Sequence, residues 1–303
     1  MLHAFSPASE KLQRELAAFN AVRLLPALPQ EGWRDGLEHE FHMRHAEGQF
    51  FESLRAEVVA RLPAWGCSAD EFMEWFEALQ DDGPGQRHRL FDWLQDCADA
   101  PQLRWFLTQE AAGEAGFEDL LAYTQVRLPQ RPKLECARNF WDEMGHGRGP
   151  AMHGVLLARM VDELGLKPTI AQTVPESLAL ANAMVAMATN RRYAYHSVGA
   201  LGVIELTAPG RVRKVAQGMR RAGFEARHRA YFELHAVLDV SHARAWLREV
   251  IRPLVENDPA VAQAIAEGAL VRLACGARCF DRYARDLEVP MAAAQAHLAE
   301  ATC

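Results

Sequence analysis

Almost every long segment of this chain repeats its apolar residues with the period of an α-helix, and none shows the clean alternation of a half-buried strand. Such a pattern commits the chain to an all-α fold. A first amphipathic helix is expected over 9–24, ended by Leu25-Pro26 and Leu28-Pro29, a second over 34–61, and a third over 69–79. Asp81-Asp82-Gly83-Pro84-Gly85 then forms a loop, and shorter helices follow at 86–97, 101–109 and 113–127. The stretch 134–164 starts as a helix but passes through Gly145, Gly147, Gly149 and Pro150, so it must bend or restart. Beyond it the pattern predicts a long apolar helix over 176–206 ended by Ala208-Pro209-Gly210, and a short one over 211–222. A helix over 224–251 stops before Pro253, and a last stretch over 258–287 breaks near Gly268.

Within the 224–251 helix stand His235, Asp239 and His242, at spacings that place all three on one face. Their neighbours are apolar and aromatic: Tyr231, Phe232, Val237, Leu238, Val240, Trp246 and Leu247. Polar groups on a core-facing stripe are costly unless something satisfies them. Either a metal ion does so, or the histidines and the aspartate form a buried hydrogen-bonded network.

Two further stretches carry matching chemistry. Glu205 sits among Leu201, Val203, Ile204 and Leu206. There a carboxylate either needs a counter-charge, such as a metal, or reaches solvent near the helix end, and for this residue alone the second reading is favoured. Asp142, Glu143, His146 and His153 share the glycine-rich stretch FWDEMGHGRGPAMH. On a regular helix Glu143 and His146 form a Glu-x-x-His pair, a motif of carboxylate-bridged di-metal bundles, whereas His153 would lie about 15 Å further along a straight axis. Helix geometry alone therefore prefers His146. Carboxylates and imidazoles from three helices suit two iron or manganese ions, with open positions for dioxygen.

Composition narrows the alternatives. Half of the 303 residues are hydrophobic and 24% are charged, as in a soluble globular protein. A net charge of −7 and a pI near 6.0 argue against nucleic acid as a partner. There is no apolar run long enough for a membrane span and no signal-peptide pattern, so a cytoplasmic location is expected. Six scattered cysteines (67, 97, 136, 275, 279 and 303) read as reduced thiols. His39, His42 and His45 step by three around a helix beside Glu38, Glu40 and Glu47, which reads as a solvated face. Arg191-Arg192-Tyr193-x-Tyr195-His196, placed on the helix of Glu205, suits either a substrate carboxylate or a surface patch.

Three motifs in order, Asp-Glu-x-Gly-x-Gly-x5-His (Asp142 to His153), Gly-x5-Glu-Leu-x-Ala-Pro (Gly199 to Pro209) and His-x3-Asp-x2-His, resemble the haem-oxygenase-like diiron oxidase and oxygenase family over roughly 100–290. The resemblance implies a haem-oxygenase-like helical bundle over 61–295, preceded by an N-terminal helical extension over 1–60. It implies two non-haem irons held by Glu143, His153, Glu205, His235, Asp239 and His242, which sets His153 above His146. Some members add an upstream carboxylate, for which Glu110, Glu114 and Glu118 are candidates. The implied activity is dioxygen-dependent oxidation of a small organic substrate, such as an amino acid, a fatty acid or a derivative, in a specialised pathway. An electron donor and a homodimer are compatible with it. Two rival readings are a metal-independent enzyme of the same fold, of the cofactorless oxidase or thiaminase type, and a helical interaction protein.

Overall fold

The computed structural model describes residues 7–29, 31–63, 68–114 and 116–290, apart from the side chains of 7, 8 and 114. Among them there is no strand. Helices α1 (Pro7–Arg23) and α2 (Trp33–Val59) come first, then α3 (Ala69–Asp82) and α4 (Arg89–Asp96). Ser68 caps α3 by accepting from the Glu71 N–H at 3.1 Å, and the His88 ring caps α4 by accepting from the Leu90 N–H at 3.2 Å. After α5 (Ala100–Glu114) and α6 (Phe117–Thr124), α7 (Gln130–Glu143) leads through two short 3₁₀ turns into α8 (His153–Glu163). The expected restart between 134 and 164 is present, at the glycines.

The centre is built by α9 (Pro175–Thr189), α10 (Ala194–Arg221) and α13 (Val261–Asp286). Each is buried around most of its circumference, as a helix with apolar residues on every side must be. Helix α10 and α13 cross closely. A Cβ on Gly199 would collide with the Ile265 carbonyl, and one on Gly268 with the His196 carbonyl, so the two glycines let the backbones touch. Gly268 therefore does not break α13, which runs through it without interruption.

Two other expected boundaries differ. The predicted 176–206 helix is divided at Asn190, whose side chain accepts from the Arg192 N–H at 3.2 Å and starts a 3₁₀ turn at Arg191–Tyr193. Pro209, expected as a terminator, lies inside α10. A proline removes one ladder hydrogen bond, and packing of α10 against α4, α11 and α13 outweighs that loss.

Helix α11 (Ala226–Ala245) lies against α10 and continues as a π-helical turn over Trp246–Ile251, then as α12 (Arg252–Asn257), so Pro253 does not stop it either. Trp246 fills the space that Gly202 leaves on α10 and donates its indole N–H to the Val198 carbonyl at 3.1 Å.

The first two helices are tied to the centre by polar contacts. Asn182 on α9 bonds to Asn20 and to the Gln13 carbonyl, both at 2.9 Å. Arg55 on α2 reaches Glu267 on α13 at 2.7 Å. Cys97, Cys136, Cys275 and Cys279 are free thiols, as expected, and Cys67 and Cys303 lie outside the described residues. No helix among the described residues is long and apolar enough to cross a membrane.

Candidate metal centre

Glu143 ends α7 because the backbone beyond it turns left-handed at Gly145 (φ 58°), His146 (φ 55°) and Gly147 (φ 77°). Only glycine adopts such angles without cost. A Cβ at Gly145 would strike the Ala151 backbone, so the chain closes tightly on itself and starts α8 at His153. The fold-back brings His153 Nδ1 to 2.7 Å from a Glu143 carboxylate oxygen.

Opposite them stand Glu205 from α10 and His235, Asp239 and His242 from α11. The six side chains form two sets of three, Glu143 with His153 and His235, and Glu205 with Asp239 and His242. Within each set a nitrogen or oxygen from every residue lies within 4.8 Å of the others. Every one is buried except His235, which is partly so.

The hydrogen bonds orient these groups. His235 Nδ1 meets the Tyr231 carbonyl at 2.7 Å, which leaves Nε2 facing the site. His242 Nε2 meets Asp142 at 3.0 Å, leaving Nδ1 at 3.5 Å from Glu205. Asn139 donates to the other Glu205 oxygen at 2.7 Å. Buried His153 Nδ1 and His242 Nδ1 each lie near a carboxylate yet have no hydrogen-bond geometry to any partner. In each set one ligand atom per residue lies within 4.8 Å of the others, close enough to share a cation, which would satisfy these nitrogens. Two carboxylate-imidazole sets of this kind fit iron or manganese.

Burial pulls the His235 imidazole below its ordinary pKa against the pull of Glu143, so it is neutral with a free lone pair. Burial acts the same way on His242, but Glu205, Asp142 and Asp239 outweigh it and raise that group to about 9. Without a cation, His242 is itself the counter-charge of its carboxylates.

A cavity opens beside both sets. Glu143, Glu205, His235 and Asp239 line it together with apolar residues that include Phe91, Phe117, Phe232 and Phe280. Arg211 and Arg272 also face it.

All six residues implied by the resemblance are thus brought together. His146 is not among them: it is exposed in its left-handed conformation and pairs with Asp142 at 3.1 Å. Of the upstream acids, Glu118 lies beside the first set, its carboxylate resting where Gly154 has no side chain. Burial, then Asp119 and Glu143, push its pKa up. Glu110 lines the cavity beside Tyr283, and the Glu114 side chain lies outside the described residues.

The arginine-tyrosine cluster holds helices together instead of facing the cavity. Arg191 donates to the Tyr123 carbonyl at 3.0 Å, Tyr193 bonds to Glu52, and His196 meets Glu267 at 3.0 Å. His39, His42 and His45 are exposed, as read from the sequence. Sequence reasoning assigned no role to Asn139, Asp142, Arg211 or Arg272. Asn139 touches a residue 66 positions away and no local pattern marks it; Asp142 opens the first motif, but its partner lies 100 positions away and the motif does not point to it.

The sequence profile of iron-containing redox enzymes matches residues 104–277, more than half of the chain and all six residues. Among solved structures the chain resembles a CADD-like protein of unknown function from Nostoc punctiforme. The TM-score is 0.57 at 15% identity, with 73% of this chain and 99% of that one covered. No curated protein matches the chain by sequence.

Proposed function

The chain belongs to the iron-containing redox enzyme family, and from that premise we propose that it is a non-haem diiron oxygenase or oxidase that uses dioxygen on a small organic substrate. The observation that carries this reading is the pairing of two carboxylate-imidazole sets beside a largely apolar cavity. In this reading Glu143, His153 and His235 hold one iron, and Glu205, Asp239 and His242 hold the other. Bound ferrous iron supplies the electrons that reduce dioxygen.

The protein's own part is to bind and orient. Asp142 and the Tyr231 carbonyl fix the rings of His242 and His235, and Asn139 fixes the Glu205 carboxylate. Phe117, Phe232 and Phe280 make the cavity lining beside the carboxylates apolar and so disfavour water there. Arg211 and Arg272 supply positive charge for an acidic group, which suits an amino acid, a fatty acid or a derivative. Glu118, held above its ordinary pKa by burial and by Asp119 and Glu143, would serve as a proton reservoir beside the first set.

The reading is tested by anaerobic Fe(II) loading followed by stopped-flow mixing with oxygen. Close to two irons per chain and iron-dependent oxygen uptake are expected. Tight binding of a single zinc, with no iron-dependent uptake, would overturn the proposal.

A further inference from the structure

Burial along α2 is lopsided. It begins at Glu47 and continues through Phe50, Phe51, Leu54 and Val58, whereas no residue of the helix before Glu47 is buried. Met43 also rests partly buried against the core, so Trp33 to His42 form the arm, about 15 Å long at 1.5 Å per residue. A helix of that length is marginal alone in water, and Gly36 within it weakens it further. One side of the arm is occupied, where His39 meets the Phe19 ring of α1 edge-on at 6.1 Å.

The opposite side carries Trp33, Leu37 and Phe41, one every four residues, which form a single stripe. They expose 58%, 55% and 69% of their surface. Val22, Leu25 and Leu28, at the end of α1 and in the loop that follows, are exposed as well and add to the apolar tip. An exposed apolar surface of this extent marks an interface.

We infer that the Trp33–Phe41 stripe of α2 is a homodimer seam, covered by the same stripe of a second copy running antiparallel with its Leu37 against this Leu37. The pattern is self-complementary. Trp33 and Phe41 lie equally far on either side of Leu37, so a two-fold axis there brings each Trp33 level with a Phe41 of the copy. Arg34 and Glu38 share one flank of the stripe, and reversing the copy places its Glu38 within reach of Arg34, twice by symmetry. Antiparallel pairing also puts the two helical bodies at opposite ends of the seam. The inference is independent of the metal centre.

Sedimentation of the full chain over a range of concentrations should show a species of twice 33.9 kDa. Leu37→Glu with Phe41→Glu should return the monomer. Arg34→Glu and Glu38→Arg should each raise the dimer dissociation constant roughly tenfold, and together restore it. Leu37→Cys should form an interchain disulfide above the wild-type background, whereas Gly48→Cys, on the same face but far from the axis, should not. A wild type that stays monomeric, a dimer that survives Leu37→Glu with Phe41→Glu, or charge reversals whose combination fails to restore the dimer would each overturn the inference.

Discussion

His153 Nδ1 lies 2.7 Å from the Glu143 carboxylate although the two residues sit on different helices, joined by a left-handed turn. That turn also points His146 outward. His153→Ala is therefore expected to lose iron and oxygen-dependent turnover, and His146→Ala to keep most of both. Metal analysis of the two variants checks the ranking, and the opposite ranking would mean that the site uses a straight helix through 143–146.

Asp142 touches His242 without belonging to either set of three. Replacing a partner that orients a metal-binding histidine typically costs 10- to 100-fold in affinity. Asp142→Ala should weaken iron binding by roughly that factor, as read from competition with a chelator. An unchanged affinity would reduce the Asp142 contact to a surface hydrogen bond.

His235→Ala, Asp239→Ala and His242→Ala should each abolish turnover while leaving a folded helical protein. If the three residues were a structural network, a stranded partner would cost about 1–3 kcal/mol of stability. Circular dichroism melts of the metal-free forms separate the cases. A large loss of stability together with wild-type iron content would favour the structural reading.

At the crossing of α10 and α13, Gly199→Ala and Gly268→Ala each force a methyl group into a facing carbonyl. Overpacking of this kind costs about 1–3 kcal/mol or more. Urea unfolding should show at least that loss for either variant, whereas Gly210→Ala, with open space around it, should lose none.

His196 is buried against Glu267, and burial holds its pKa below the ordinary value. The unfolded chain therefore takes up a proton before the folded one does. The contribution of His196 is present above about 6.5 and is lost as the pH falls through the folded value. Glu267, held low by Arg55, Gln263 and His196 against its own burial, adds a loss in the same direction at lower pH. Melting temperature should fall below pH 6.5, and His196→Gln should flatten that part of the curve.

Helical periodicity made the helices legible, because each buries a stripe that the sequence marks every three or four residues. Its punctuation was less legible. Pro209 and Gly268 suggested breaks, but packing overrides a single missing hydrogen bond, and Gly268 serves a close approach. Asn190, with neither proline nor glycine beside it, gave no warning of the break it makes. The candidate-site residues were legible where chemistry is local, as in His235, Asp239 and His242 on one turn-by-turn face. Asn139 and Asp142 were not, since their roles depend on partners from α10 and α11.

Pro209 has no N–H to offer, and the carbonyl it would have bonded in a regular helix is that of Glu205. The one residue that α10 contributes to the site is thus released from the helical ladder on its C-terminal side. Glu205 is tied to the site by its side chain, through Asn139 and the neighbouring His242, more than by its own carbonyl, whereas His235, Asp239 and His242 stand on a helix that no proline interrupts.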